Sequence, residues 1–452
     1  MDKTTEIFRN APVPKAVLLN IVPSVISMIM VLIYNLADMF FIGQTKNAYM
    51  VAAVSLATPA FLLFMAIGML FGIGGTSLIA RMLGEGRKKE AKNVSSFCFW
   101  TGLIVGILGM VFIWICLDSV SKMVGATPDT EGYVRDYLQI VALGIPFLII
   151  SHAFSNILRA EGHANKAMAG VIIGNLVNIV LDPVMILGLG WDVKGAALAT
   201  SIGNLASAVF YILHFIQKKS ILSIAPKQYK AGHGITKGVL AIGVPASLNS
   251  IMMSVSNIII NNLMTQHGDM AVAGLGVAIK VNMIAVMLLI GVGTGIQPLL
   301  GYCYGAGDRK RFMSVLKFSL CLAVGLSAIM TVICYFGASP MVSAFLENQN
   351  AHGFGMKFAR IYIYSGPVLG VLFVMINTIQ AMGAALPSLI LSICRQGILY
   401  VPIIFIFNYT IHTPETLALA QPVTDYFATV LSVVLCIITM KRYFAIKERQ
   451  PE

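Results

Sequence analysis

The chain has 452 residues, 58% of them hydrophobic and only 11% charged, with a mean hydropathy of +0.84 and a formal net charge of +12. Soluble globular domains carry roughly 25% charged and about 45–50% apolar residues, so this composition excludes a string of soluble domains. Apolar runs of about 20 residues, long enough to cross a hydrocarbon core of roughly 30 Å, recur from Ala16 to Met440 and describe an all-α polytopic protein in a lipid bilayer.

In chain order, hydropathy predicts twelve transmembrane helices, over 16–41, 50–80, 94–117, 134–158, 167–188, 196–216, 239–266, 270–303, 312–336, 358–382, 386–407 and 417–440. Lys3 and Arg9 precede the first run, which has no small-residue cleavage site and is expected to stay as a span. An even number of spans puts both termini on one side. On that side the tails and connections hold 23 Lys and Arg, including Arg81, Arg87, Lys88, Lys218, Lys219, Arg309 and Arg449. The other side holds 6, namely Lys46, Lys122, Arg135, Lys194, Lys357 and Arg360. This bias predicts cytoplasmic termini and accounts for the basic balance without nucleic acid, since no basic stripe with interleaved aromatics occurs. All seven cysteines lie in or at the ends of apolar runs, with no CxxC and no His/Cys cluster at metal-ligand spacing, so neither a disulfide framework nor a structural zinc site is expected.

Shifting the chain by 221 or 222 residues superimposes its landmarks. Val22-Pro23 falls on Val244-Pro245, Asn35 on Asn257, Gly84 and Gly86 on Gly305 and Gly307, Pro146 on Pro367, and Gly162 on Gly383. Six spans per repeat gives two parallel, pseudo-symmetric lobes related by an axis along the membrane normal. The expected boundaries are 1–217 for the first lobe, 218–237 for a basic linker and 238–452 for the second lobe. Two such lobes facing one cleft form the architecture of an alternating-access transporter.

Charges inside a bilayer cost at least about 2.5–3.5 kcal/mol each and mark function or pairing. Only Asp38 and Asp182 lie deep within predicted spans, and Asp425 sits about a third of the way along the last. Asn175, Asn178 and Asp182 follow i, i+3, i+7 spacing, so one helical face carries two amides and a carboxylate. Asn35 and Asp38 share a face of the first span, and Thr200 and Asn204 share one of the sixth. Carboxylate, amide and hydroxyl oxygens suit Na⁺, and the carboxylates equally can carry H⁺; spacing does not choose between the two ions. Under the repeat, Asp38 meets Ile260, Asn178 meets Leu399 and Asp182 meets Ile403, which places ion coupling in the first lobe.

Other intramembrane polar residues allow two readings each. Lys280 and Arg395 either line the cleft or neutralise Asp425 and helix-end carbonyls. Asn257, Gln297, Asn377 and Gln380 give the second lobe a polar wall or hydrogen-bond between helices. Met28, Met253 and Met287 form an adaptable pocket or face lipid. No HExxH, GxSxG or P-loop is present, so neither an enzyme nor nucleotide-driven transport is expected, and no cofactor is called for beyond the coupling ion.

The segments 34–38 (YNLAD), 178–183 (NIVLDP), 195–200 (GAALAT) and 295–307 (GIQPLLGYCYGAG) together resemble the MATE (multidrug and toxic compound extrusion) family over essentially the whole chain, most closely its bacterial MepA-like branch. The resemblance implies a V-shaped pair of six-helix bundles in the bacterial inner membrane, acting as a monomer. It implies export of organic cations and amphipathic drugs in exchange for H⁺ or Na⁺. It also maps the ion site of the family's first lobe onto Asp38, Asn178, Asp182 and Thr200, with Asn35, Asn175 and Asn204 around them. Some members carry acids in the seventh and tenth spans, where this chain has Asn257 and Asn377, so no second-lobe Na⁺ site is expected. The alternatives are a lipid-linked oligosaccharide flippase, which needs a strongly cationic cavity, and a membrane-embedded enzyme using Asp38 and Asp182 as a catalytic pair.

Overall fold

The computed structural model describes residues 6–45, 47–217, 220–232, 234–344 and 349–448. Of the charges counted above, Lys3, Lys46, Lys218, Lys219 and Arg449 lie outside the described residues, as does part of the expected linker. Hydrocarbon offers backbone amides no water, so each apolar run satisfies its own hydrogen bonds as a helix. The spans are α1 (Val13–Gln44), α2 (Tyr49–Gly84), α3 (Lys88–Ile115), α4 (Glu131–Ala160), α5 (Ala164–Gly188) and α6 (Asp192–Ile216) in the first half. The second half has α7 (Ile235–His267), α8 (Asp269–Gly305), α9 (Arg309–Ser343), α10 (Ala351–Ile363 with Gly366–Ala381), α11 (Ala385–Thr410) and α12 (Pro414–Arg442).

The tenth span differs from expectation. It is two helices bent by 52° rather than one continuous rod. Pro367, at the second position of the distal piece, supplies no backbone N–H and disfavours helical geometry in the residue before it, Gly366. Its repeat counterpart Pro146 sits inside an unbroken α4. Two other helices are loosened without breaking. α5 turns π-helical over Pro183–Gly188, immediately after Asp182, and α11 does so over Cys394–Leu399, around Arg395.

The repeat is visible in turns and in packing. Gly86 and Gly307 (φ +77° and +72°) end α2 and α8, while Gly162 and Gly383 (φ +80° and +72°) end α4 and α10, all in left-handed geometry. In the first half α4 packs on α2, α3 and α6, and α5 packs on α1 and α6. In the second half α10 packs on α8, α9 and α12, and α11 packs on α7 and α12. Between halves, α2 meets α7, α1 meets α8, and α2 meets α8.

Small residues permit this crossing, because lipid gives helices no hydrophobic reason to associate and contact must come from close approach. A Cβ on Gly74 would collide with the Val239 carbonyl of α7, and one on its repeat mate Gly295 would press on Ile21 of α1. Gly84 abuts Tyr302 and Gly305 abuts Arg81, residues themselves one repeat apart, so the pseudo-twofold axis runs between α2 and α8. Ser77 donates to the Gln380 carbonyl, and Ser247 donates to the Ala66 carbonyl at 2.7 Å.

The segment before α1 tightens the same end. Phe8 is fully buried edge-on against Tyr302, and Arg311 donates to the carbonyls of Phe8 (2.6 Å) and Ala11 (2.7 Å). These contacts all lie in the half of the membrane nearer the termini. Beyond the Ser247–Ala66 level, Ile33, Leu63, Met253 and Ile258 are exposed. Residues 220–229 run along the first half: Ser96 donates to the Ala225 carbonyl (2.8 Å), Trp100 to the Ile224 carbonyl (3.0 Å), and Tyr229 stacks on Phe97.

Overpacking a tight contact costs about 1–3 kcal/mol. Gly74→Val should therefore lower the melting temperature of the purified protein, whereas Gly325→Ala on α9, where a Cβ meets nothing within 4 Å, should leave it unchanged.

Candidate ion and substrate sites

Three helices of the first half bring the sequence cluster together. Asn178 and Asp182 lie on the inner face of α5, 2% and 0% exposed, and Thr200 on α6 is 5% exposed. Asn178 Nδ2 donates to Thr200 Oγ1 at 3.3 Å, which leaves the amide oxygen pointing elsewhere. Among the described residues, neither Asp182 oxygen nor Asn178 Oδ1 has a hydrogen-bond partner, and all three are buried. Asp38, half-buried on α1, is close enough to Asp182 for the two carboxylates to interact electrostatically. A buried acceptor without a donor costs about 1–3 kcal/mol, more when it is charged. Asn178 and Asp182 stand one turn apart, so the three acceptors lie on one face of α5.

The outlying members behave differently. Asn204 is committed elsewhere: it donates to the Thr200 carbonyl (3.0 Å) and accepts from Ser151 (3.3 Å). Asn175 is half-buried with an unpartnered Nδ2, and Asn35 is half-buried one turn before Asp38. Two tyrosines join the site with no role assigned to them from spacing. Tyr34 reaches the Thr200 side chain, and Tyr137 of α4 is buried within electrostatic range of both carboxylates. Tyr34 stood one turn before Asp38 on the same face; Tyr137 carried no signal, because an aromatic near a span end reads as interfacial.

The expected polar wall divides. Met253 and Asn257 on α7 are exposed, while Met28, Lys280 and Met287 are half-buried. Gln297, Asn377 and Gln380 are only 2%, 7% and 5% exposed, within helix packing, and Asn377 donates to the Phe373 carbonyl of its own helix. In this conformation those three are enclosed by packing, with Gln297 Nε2 lacking a hydrogen-bond partner among the described residues.

Arg395 resolves its two readings in favour of pairing. Its Nε and Nη2 donate to Asp425 Oδ1 at 3.2 and 3.1 Å, Gln421 donates to the same oxygen at 3.1 Å, and the guanidinium lies 5.2 Å from the Phe373 ring centroid. By the repeat, Arg395 stands where the first half has Gly174, which lets α5 approach Ser207 and Gly203 of α6 closely. The second half thus has Leu399 and Ile403 where the first half has the unpartnered Asn178 and Asp182, and buried Ile260 where the first has Asp38.

A family model described as MatE matches residues 23–184 and again 245–406. The chain belongs to the MATE family. The double match is the internal repeat, displaced by 222 residues. The chain is 28% identical over 407 residues to a "Multidrug export protein MepA" of Staphylococcus saprophyticus, and 29% identical over 408 residues to that of Staphylococcus aureus strain MSSA476, covering 90% of each chain in both comparisons. Its fold superimposes with a TM-score of 0.92, at 24% identity and 99% coverage of both chains, on the outward-facing conformation of a multidrug resistance MATE family transporter. That likeness establishes the architecture of two six-helix halves as the MATE fold.

Removing one partner of a buried ion pair costs about 3–5 kcal/mol, whereas replacing both with apolar residues is often neutral. Asp425→Asn should lower thermal stability strongly, and Arg395→Met combined with Asp425→Leu should recover most of it in the same unfolding assay.

Proposed function

We propose that this MATE protein exports cationic or amphipathic organic compounds across the bacterial inner membrane in exchange for H⁺ or Na⁺. The coupling ion is held by Asp38, Asn178, Asp182 and Thr200. The observation that carries the reading is the set of buried, donorless oxygens on Asp182 and Asn178 beside a second carboxylate. Residues 1–217 and 238–452 act as the two moving lobes of a monomer, joined by 218–237, with both termini in the cytoplasm, a placement that the Lys/Arg bias supports. The names of the staphylococcal relatives support multidrug export as the activity.

In this cycle the cleft faces outward, a reading that the terminal-side contacts between the halves support, and the ion enters the acid cluster from outside. Neutralising Asp182 and Asp38 removes an unpaired charge from α1 and α5 and favours release of the compound outward. Compound then binds from the cytoplasm or inner leaflet, and the ion leaves inward. Coupling requires ion and compound to prefer different states, because a ligand shifts only the equilibrium it binds unequally. One charge crossing 100 mV supplies about 2.3 kcal/mol, enough for a concentration ratio of roughly 50. The flippase alternative loses its cationic wall, since Arg395 is neutralised by Asp425.

Ethidium efflux from drug-sensitised bacteria, driven by a proton gradient alone and then by a sodium gradient alone, tests the reading. Asp38→Asn and Asp182→Asn should each lower the driven rate at least about tenfold, the scale of losing roughly 1.4 kcal/mol of coupling. Efflux from both variants equal to the parent would reduce the acids to a structural role.

A further inference from the structure

The terminal-side end of the first lobe holds a cluster that the export cycle does not use. Glu161 follows α4, His163 opens the turn into α5, and His214 lies in the last turn of α6. One ligand atom from each falls within 4.8 Å of the other two. Glu161 and His214 are buried, and the His163 side chain is 12% exposed. His163 Nδ1 stands 3.5 Å from Glu161 Oε2, and the two imidazole rings meet edge to face at 5.2 Å between centroids. No spacing announces this cluster, because about fifty residues separate His214 from the other two.

Two imidazoles and a carboxylate at such separations are the donor set of a borderline divalent cation that keeps one position for water. Hard ions such as Mg²⁺ would ask for more oxygen. The carboxylate is oriented from behind, as metal-bound carboxylates are: Ser220 Oγ donates to Oε2 at 2.7 Å, and the Ile221 amide donates to Oε1. Both donors come from the segment joining the lobes, which is further fastened to α3 through Ala225 and Ile224. The neighbouring cation Arg159 donates from Nη1 to Asn156 Oδ1 at 3.0 Å, while its Nε and Nη2 have no hydrogen-bond partner among the described residues.

We propose that Glu161, His163 and His214 bind a divalent transition-metal ion of the Zn²⁺ class, and that the bound ion pins the start of the inter-lobe connection to the ends of α4 and α6. The metal fixes Glu161, and Glu161 fixes Ser220 and Ile221, so occupancy sets where the free length of the connection begins. The ion is separate from the coupling cation in residues, depth and chemistry.

The test uses the full-length protein without a histidine tag, purified in detergent and stripped with EDTA. After Zn²⁺ loading and desalting, the parent should retain about one Zn²⁺ per chain by elemental analysis and melt at a higher temperature than the stripped protein. Co²⁺ in place of Zn²⁺ should give the visible absorption of a four-coordinate nitrogen and oxygen site. His163→Ala and His214→Ala should each lower the Zn²⁺ affinity at least about tenfold, with Asp182→Asn binding as the parent does. The cobalt spectrum and the EDTA-reversible melting shift are read on the parent alone, so a variant that folds poorly does not blunt the test. A parent that retains no Zn²⁺ and shows no melting shift would overturn the proposal, as would folded histidine variants that bind like the parent. Either result would leave Glu161 as a hydrogen-bonding anchor for the connection only.

Discussion

The constraint on which the structure turns is that three oxygens, two on Asp182 and one on Asn178, are buried with no hydrogen-bond partner among the described residues. In water such atoms cost nothing; in a membrane interior each demands a partner or a cation. The surrounding elements fit that demand. Pro183 follows Asp182 and loosens α5 into a π-helical turn, Asn178 spends its amide hydrogen on Thr200, and Asp38 is delivered from the facing helix. Buried acceptors of this kind are costly when unpaired, and under the proposed function that cost is what a bound cation relieves.

The second half shows the same scaffold without that demand. Arg395 occupies the place of Gly174 and satisfies Asp425 permanently, while Ile260 replaces Asp38. A guanidinium is part of the chain, so this pairing needs no exchangeable ion. Duplication gave both halves the same helix crossings, and substitution at a few positions left buried carboxylate and amide oxygens without partners in one and a paired guanidinium in the other. The glycines at the crossings, Gly74 with Gly295 and Gly84 with Gly305, are shared because both halves must approach the same axis.

Much of this was legible in the residues alone, for physical reasons. Lipid enforces helices, so hydropathy located every span; the repeat followed from glycines and prolines that end or bend helices in both halves. The α5 face of Asn175, Asn178 and Asp182 was readable because a helix fixes which residues are neighbours. What depended on tertiary contact was not readable. Pro146 and Pro367 are repeat mates, yet only the latter, preceded by glycine, accompanies a break. Gln297, Asn377 and Gln380 look as suited to a cleft as Asn257, and only packing separates them. Tyr137, the Arg395–Asp425 pair and the Glu161–His163–His214 cluster each join residues from different helices, with no periodicity to announce them.

The central claim is that a cation in the first-lobe acid cluster biases the separation of the lobes. Spin labels at Asp129 and Ala344, exposed in the connections on the side away from the termini, would report that separation by pulsed electron resonance in a cysteine-free background. Supplying the coupling ion should shift the distance distribution in the parent protein and leave it unmoved in Asp182→Asn. A parent distribution indifferent to both H⁺ and Na⁺, or a variant that responds as the parent does, would contradict the account.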